Sequence, residues 1–264
     1  ERVRNAVAQL LLTVVQIQPS VCTAGQLPRV LLVYYGSLAP SDVKLRRLVG
    51  QYEAHGCPAG DLAAVWGPGS MEKRRLGGSS GGSSGGAAGG MVAGEEAAAA
   101  TFGASAHTGL GSAVAHSLDS FDRRRMLYSI DHSTFVVPEE EVVVGAADLQ
   151  LVHQLSCYDP EFVMPLLCML LTHQHPVDLR LFVEAGALSY ILIALCSSTT
   201  HIREQAYSLA GCALATLELS DLRERRQVQL ALTSLRDAIA VPNVQITPCV
   251  AVFIGRAVRI ALHP

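Results

Sequence analysis

From Asp178 to Glu218 the order of apolar and polar positions predicts three consecutive helices. A short first helix runs to Glu184 and Ala185, where Gly186 breaks it. A second, over 188–195, is apolar at almost every position. Ser197, Ser198, Thr199 and Thr200 then turn the chain into a third. Its apolar residues Ile202, Ala206, Leu209, Ala213 and Leu217 recur in steps of four, three, four and four. That spacing keeps them on one face of a 3.6-residue helix. Such a succession is the pattern of an armadillo or HEAT unit, in which stacked helices share one elongated core. The expected fold is therefore all-α, an armadillo/HEAT-like helical repeat (α-solenoid). Folds of this kind offer surfaces for binding more often than pockets for chemistry.

The same periodicity continues on both sides. Val3, Val7, Leu10, Val14 and Ile17 form a stripe that predicts a helix over 2–17, ended by Pro19. Residues 27–38 read as a second, very apolar helix. Pro40, Ser41 and Asp42 start a third, with Ser41 as the expected N-cap and Leu45, Leu48 and Tyr52 inward. Further on, helices are expected over 147–156 and 159–172; Asp159 suits an N-cap and Pro160 the first helical position. Asp221 and Glu224 are spaced as a capping box. The helix that follows turns Val228, Leu232, Leu235 and Ile239 inward. Pro248 opens a last helix with Val250, Ile254, Ala257 and Ala261 in line.

Between the two helical blocks the pattern stops. Residues 77–90 read GGSSGGSSGGAAGG and hold nothing that can bury apolar area. A flexible, disordered Gly/Ser/Ala-rich insert is expected from 77 to 120. The chain thus divides into a helical segment 1–76, the insert 77–120 and a helical domain 121–264. Because it starts at Glu1 and not at Met, it reads as a piece of a longer protein.

Composition adds little to the fold and more to the chemistry. Net charge is −3, so the total says nothing about nucleic acid, but basic residues cluster. Arg outnumbers Lys eighteen to two, and its planar fork suits phosphate. Lys73, Arg74 and Arg75 precede the insert, Arg123, Arg124 and Arg125 close it, and Arg223, Arg225 and Arg226 begin a repeat helix. Each cluster can touch phosphate, where sequence-independent contacts dominate affinity, or can be a solvated edge. At Arg223–Arg226 the cations sit near a positive helix end, a local conflict that an anionic partner would relieve.

The remaining motifs argue against chemistry. Seven scattered cysteines without a C-x-x-C pair suit free thiols in a reducing compartment. His173 and His175 lack ligand partners at metal spacing, so no metal and no cofactor is expected. Gly109-Leu110-Gly111 lacks the context of a nucleotide loop. Trp66 reads as a packing anchor, with base stacking as the sharper alternative. No apolar run approaches the ~20 residues needed to cross a bilayer. No small-molecule substrate is suggested, and no convergent polar set suggests an enzyme.

Several stretches together go beyond a generic helical repeat. They are Tyr34-Tyr35-Gly36 to Tyr52-Glu53, Leu62 to Trp66-Gly67-Pro68, and Tyr158-Asp159-Pro160-Glu161-Phe162. They continue with Phe182 to Tyr190, Arg223 to Ile239, and Phe253-Ile254 to Leu262. In this order the chain resembles the C-terminal region of the nucleolar pre-ribosomal-associated protein 1 (Npa1/Urb1) family, over 27–68 and 145–264. The resemblance implies a large non-catalytic scaffold of the nucleus and nucleolus that acts in ribosome biogenesis. It implies work on early precursors of the large (60S) ribosomal subunit and support of pre-rRNA processing. Implied partners are pre-ribosomal RNA, small nucleolar ribonucleoproteins, a DEAD-box helicase and a second large helical protein. The family supplies no site residue to carry over. The rival reading is a cytoplasmic armadillo-type protein-protein adaptor. Its peptide groove would need an Asn and Trp ladder that helix 202–217 does not offer.

Overall fold

A computed structural model describes residues 1–23, 25–57, 66, 121–131, 147–172 and 178–262. Every regular element among them is helical, apart from one isolated antiparallel bridge between Ser37 and Tyr158. The insert 77–120, Lys73, Arg74 and Arg75, and His173 and His175 lie outside the described residues. The described residues fall into two compact units, one within 1–35 and 44–66, the other within 36–43 and 121–262.

The first unit holds α1 (Arg2–Ile17), α2 (Leu27–Val33) and most of α3 (Pro40–Ala54). In α1 the inward face is Ala8, Leu12 and Val15, not the expected stripe. Val3, Val7, Leu10, Val14 and Ile17 are exposed. The helix is apolar on two sides, and Arg4 fixes which one turns in. Its guanidinium donates to the Val33 carbonyl at 2.5 Å and lies 4.2 Å above the Tyr35 ring.

The helix expected over 27–38 ends at Val33, because the following chain is needed elsewhere: Tyr34 is extended and Gly36 takes a φ of 61°. Helix α3 begins at Pro40, one residue before the expected cap, so Ser41 lies inside it. Asp42 accepts instead from the Ser37 amide at 3.0 Å and from the Ser37 hydroxyl. Leu45, Leu48 and Tyr52 are buried as expected. A Schellman turn ends α3. Gly56, at φ +79°, donates to Glu53 at 3.0 Å, and Cys57 donates to Tyr52 at 2.9 Å.

The second unit is built around one short helix. It holds α4 (Arg123–Asp131), α5 (Ala147–Ser156), α6 (Pro160–Thr172), α7 (Leu179–Glu184), α8 (Ala187–Ala194), α9 (Thr200–Glu218), α10 (Arg225–Ala238) and α11 (Pro248–Leu262). All eight residues of α8 are buried, as a helix apolar on every side requires. It packs against α4, α6, α7, α9 and α11. Helix α9 buries Ile202, Ala206, Leu209, Ala213 and Leu217, the face its periodicity predicts. Asp159 caps α6 by accepting from the Glu161 amide at 3.0 Å, and the helix passes through Pro165.

Two expectations fail here for a physical reason. Helix α11 turns Ala251, Gly255 and Val258 inward, about one position round from the expected line; Val250 is exposed. Small residues win because α11 lies tight against α8: a Cβ on Gly255 would stand 3.3 Å from the Ser189 carbonyl oxygen. The capping box does not form either. Helix α10 starts at Arg225 with no side-chain cap, and Glu224 pairs with Arg180 at 3.7 Å.

Candidate functional site

The turn from α9 into α10 brings three arginines together. Arg223, Arg225 and Arg226 line an open polar hollow of about 260 Å³ with Ser220, Asp221 and Leu222. Their roles differ. The half-buried Arg225 donates to the carbonyls of Ser220 at 3.2 Å and Glu218 at 3.4 Å. It thereby places a cation on the negative end of α9. Arg223 and Arg226 are exposed and make no ion pair or side-chain hydrogen bond among the described residues. Both stand at the start of α10, which has no side-chain cap and where the helix dipole is positive. Three arginines and one carboxylate, Asp221, thus face a hollow open to solvent.

The second cluster splits in the same way. Asp122 caps α4 by accepting from the amides of Arg124 at 2.8 Å and Arg125 at 3.4 Å. Arg125 turns inward, its guanidinium 4.1 Å above the Tyr158 ring and 3.4 Å from the Cys157 carbonyl. Arg123 and Arg124 stay exposed, without an ion pair among the described residues. Tyr158 is the hub of this corner. Its amide donates to the Ser129 hydroxyl at 2.8 Å, and its carbonyl accepts from the Tyr190 hydroxyl at 3.2 Å. Its own hydroxyl accepts from the Asp122 amide at 2.8 Å. Sequence reasoning missed this hub, since its partners are distant in the chain.

Cys157 lies 3.8 Å from His153, the pairing a thiolate nucleophile would need. Burial pushes its thiol up to about 12, against a smaller opposite pull from Arg125. A thiol held neutral in this way is a packing group. Trp66 is only 3% exposed, so its ring is not offered to a base. Among the described residues no three His, Cys, Asp or Glu side chains converge to hold a metal, and no helix is long and apolar enough to cross a membrane. A larger groove of about 400 Å³ between α9 and α10 is walled mainly by apolar side chains such as Leu214, Leu232 and Ile239.

The match to a family model falls on this same unit. Residues 188–264 match the family model for nucleolar pre-ribosomal-associated protein 1. The chain is similar to that family. Nucleolar pre-ribosomal-associated protein 1 of Homo sapiens is 26% identical over 272 residues, covering 100% of this chain. The Mus musculus protein of that name is 27% identical over 273 residues, covering 99%. The chain spans 11% of the length of each. No solved structure matches. The segment matched to nucleolar pre-ribosomal-associated protein 1 runs from α8 through α11 and contains the Arg223–Arg226 hollow.

Proposed function

We propose that this chain is a non-catalytic helical module of nucleolar ribosome assembly. Its helices stack as an armadillo/HEAT-like solenoid. The surface they present holds pre-ribosomal RNA and assembly factors of the large subunit together while the RNA is processed. Binding then comes from many weak contacts and from effective concentration, with no reaction performed. The partners of the reading are pre-ribosomal RNA, small nucleolar ribonucleoproteins, a DEAD-box helicase and a second large helical protein.

The observation that carries the reading is the pair of unpartnered arginines, Arg223 and Arg226, on an open hollow at the start of α10. Phosphate is the ligand such a wall suits, since positive dipole and guanidinium charge add there. The hollow lies within the residues matched to a family whose name is nucleolar and pre-ribosomal, which supports RNA as the source of that phosphate. Among the described residues the one thiol that stands beside a histidine, Cys157, is held neutral by burial and so is no nucleophile.

The test is co-sedimentation of the full-length protein with pre-ribosomal particles. Arg223→Glu with Arg226→Glu is expected to shift it to the free fractions while the melting temperature stays unchanged. Undiminished co-sedimentation would remove this face from the account.

A further inference from the structure

The hollow that holds Arg223 and Arg226 also holds an anomaly of charge. Asp221 lines it too, exposed and without an ion pair or side-chain hydrogen bond among the described residues. The sequence places it as the cap of α10, yet α10 has no side-chain cap. Nor does it pair with either exposed guanidinium, although all three side chains line one space of about 260 Å³. Ser220 beside it is left only to accept, since its hydroxyl proton goes to the Leu217 carbonyl at 2.9 Å. The hollow therefore sets two unpaired guanidiniums next to a carboxylate and a hydroxyl lone pair.

A phosphate alone satisfies only half of that set. It neutralises the guanidiniums but brings the carboxylate a like charge and no donor. The complementary ligand carries a phosphate and, close beside it, a hydrogen-bond donor. In RNA the 2′-hydroxyl stands in that relation to the 3′ phosphate at every nucleotide, whatever the base; DNA has no hydroxyl there. The space is smaller than the ~300 Å³ at which pockets begin to enclose a drug-sized molecule, so it suits a sugar with its phosphate. We infer that Asp221, with Ser220, accepts from the 2′-hydroxyl of an RNA strand whose adjacent phosphate lies on Arg223 and Arg226. Asp221 is then a specificity residue: it repels the phosphate, and only a ribose compensates that repulsion. The inference rests on the reading of Arg223 and Arg226 as phosphate contacts.

The purified chain is titrated with oligouridylate and with oligodeoxyuridylate of equal length, which differ only in the 2′-hydroxyl, at one fixed salt concentration. The RNA is expected to bind more tightly, by about tenfold. Asp221→Ala should close that gap, chiefly by strengthening the binding of the DNA, because a repelling charge is gone. Its melting temperature should stay unchanged, since the exposed carboxylate bonds to nothing among the described residues. An Asp221 that acts through charge alone would strengthen both oligonucleotides equally and leave their ratio as it was, which overturns the inference. Equal binding of the two by the wild-type chain does so too. In both cases, loss of binding in Arg223→Glu with Arg226→Glu keeps the phosphate reading. Binding of neither oligonucleotide, or binding indifferent to that double variant, defeats the phosphate reading together with the inference.

Discussion

The hydroxyl of Ser189 donates to the carbonyl oxygen of Gly255 at 2.7 Å, across the contact between α8 and α11. Ser189 is fully buried inside an otherwise apolar helix, so its hydroxyl needs a partner. Gly255 supplies one because no side chain stands between the two backbones. A Cβ there would meet Ile193 at 3.4 Å as well as the Ser189 carbonyl. Gly255→Leu is therefore expected to destabilise the protein by about 1–3 kcal/mol through overpacking. Ser189→Ala should cost about 1 kcal/mol for the lost bond. Urea denaturation checks both, as a lower midpoint at an unchanged slope.

Gly186 is under two constraints at once. Its φ of +87° suits only glycine well, and a Cβ would stand 3.1 Å from Met126 Cγ of α4. Gly186→Ala is expected to cost about 1–3 kcal/mol, although alanine is the better helix former. Thermal unfolding followed by circular dichroism should show the drop. An unchanged melting temperature would mean that α4 yields freely.

Burial raises the thiol of Cys157 to about 12, and raises the phenols of Tyr158 and Tyr190 in the same direction. The sign follows from proton counting. Above pH 9 the unfolded chain gives up the Cys157 proton while the folded chain keeps it. The stability this group contributes is complete below pH 9 and is lost as pH rises toward 12. Denaturation midpoints should fall across that window. In the native protein at pH 8, iodoacetamide should label the exposed Cys168 and Cys249 and spare Cys157.

Phosphate contacts leave a signature in salt. If Arg223 and Arg226 each neutralise one phosphate, the double glutamate variant should flatten the slope of log affinity against log salt. For single-stranded RNA the change is roughly 1.4. Filter binding over a salt series measures it. A variant that weakens binding without altering the slope would assign those side chains a role other than charge.

Much of the second unit was legible in the sequence. The stripe on α9 and the all-apolar α8 each had one physical solution, since only one face or none was polar. For helices α1 and α11 the sequence predicts the span but not the buried face. Each is apolar on two faces, and periodicity alone does not choose between them. The choice is made by Arg4 reaching Val33 and Tyr35 in one case, and by Gly255 against Ser189 in the other.

The arginine clusters were visible too, but not which members are already committed. Arg125 on Tyr158 and Arg225 on the end of α9 depend on neighbours that only the fold brings near. Glu224 likewise had a better partner in Arg180 than in a cap.

The most direct test of the central claim is ultraviolet crosslinking in cells of the tagged full-length protein, followed by sequencing of the bound RNA. The account predicts enrichment of large-subunit precursor RNA and small nucleolar RNAs, with crosslinks to the 220–226 region lost when Arg223 and Arg226 become Glu. Background-level RNA on the wild-type protein, with a defined protein partner in its place, would contradict it.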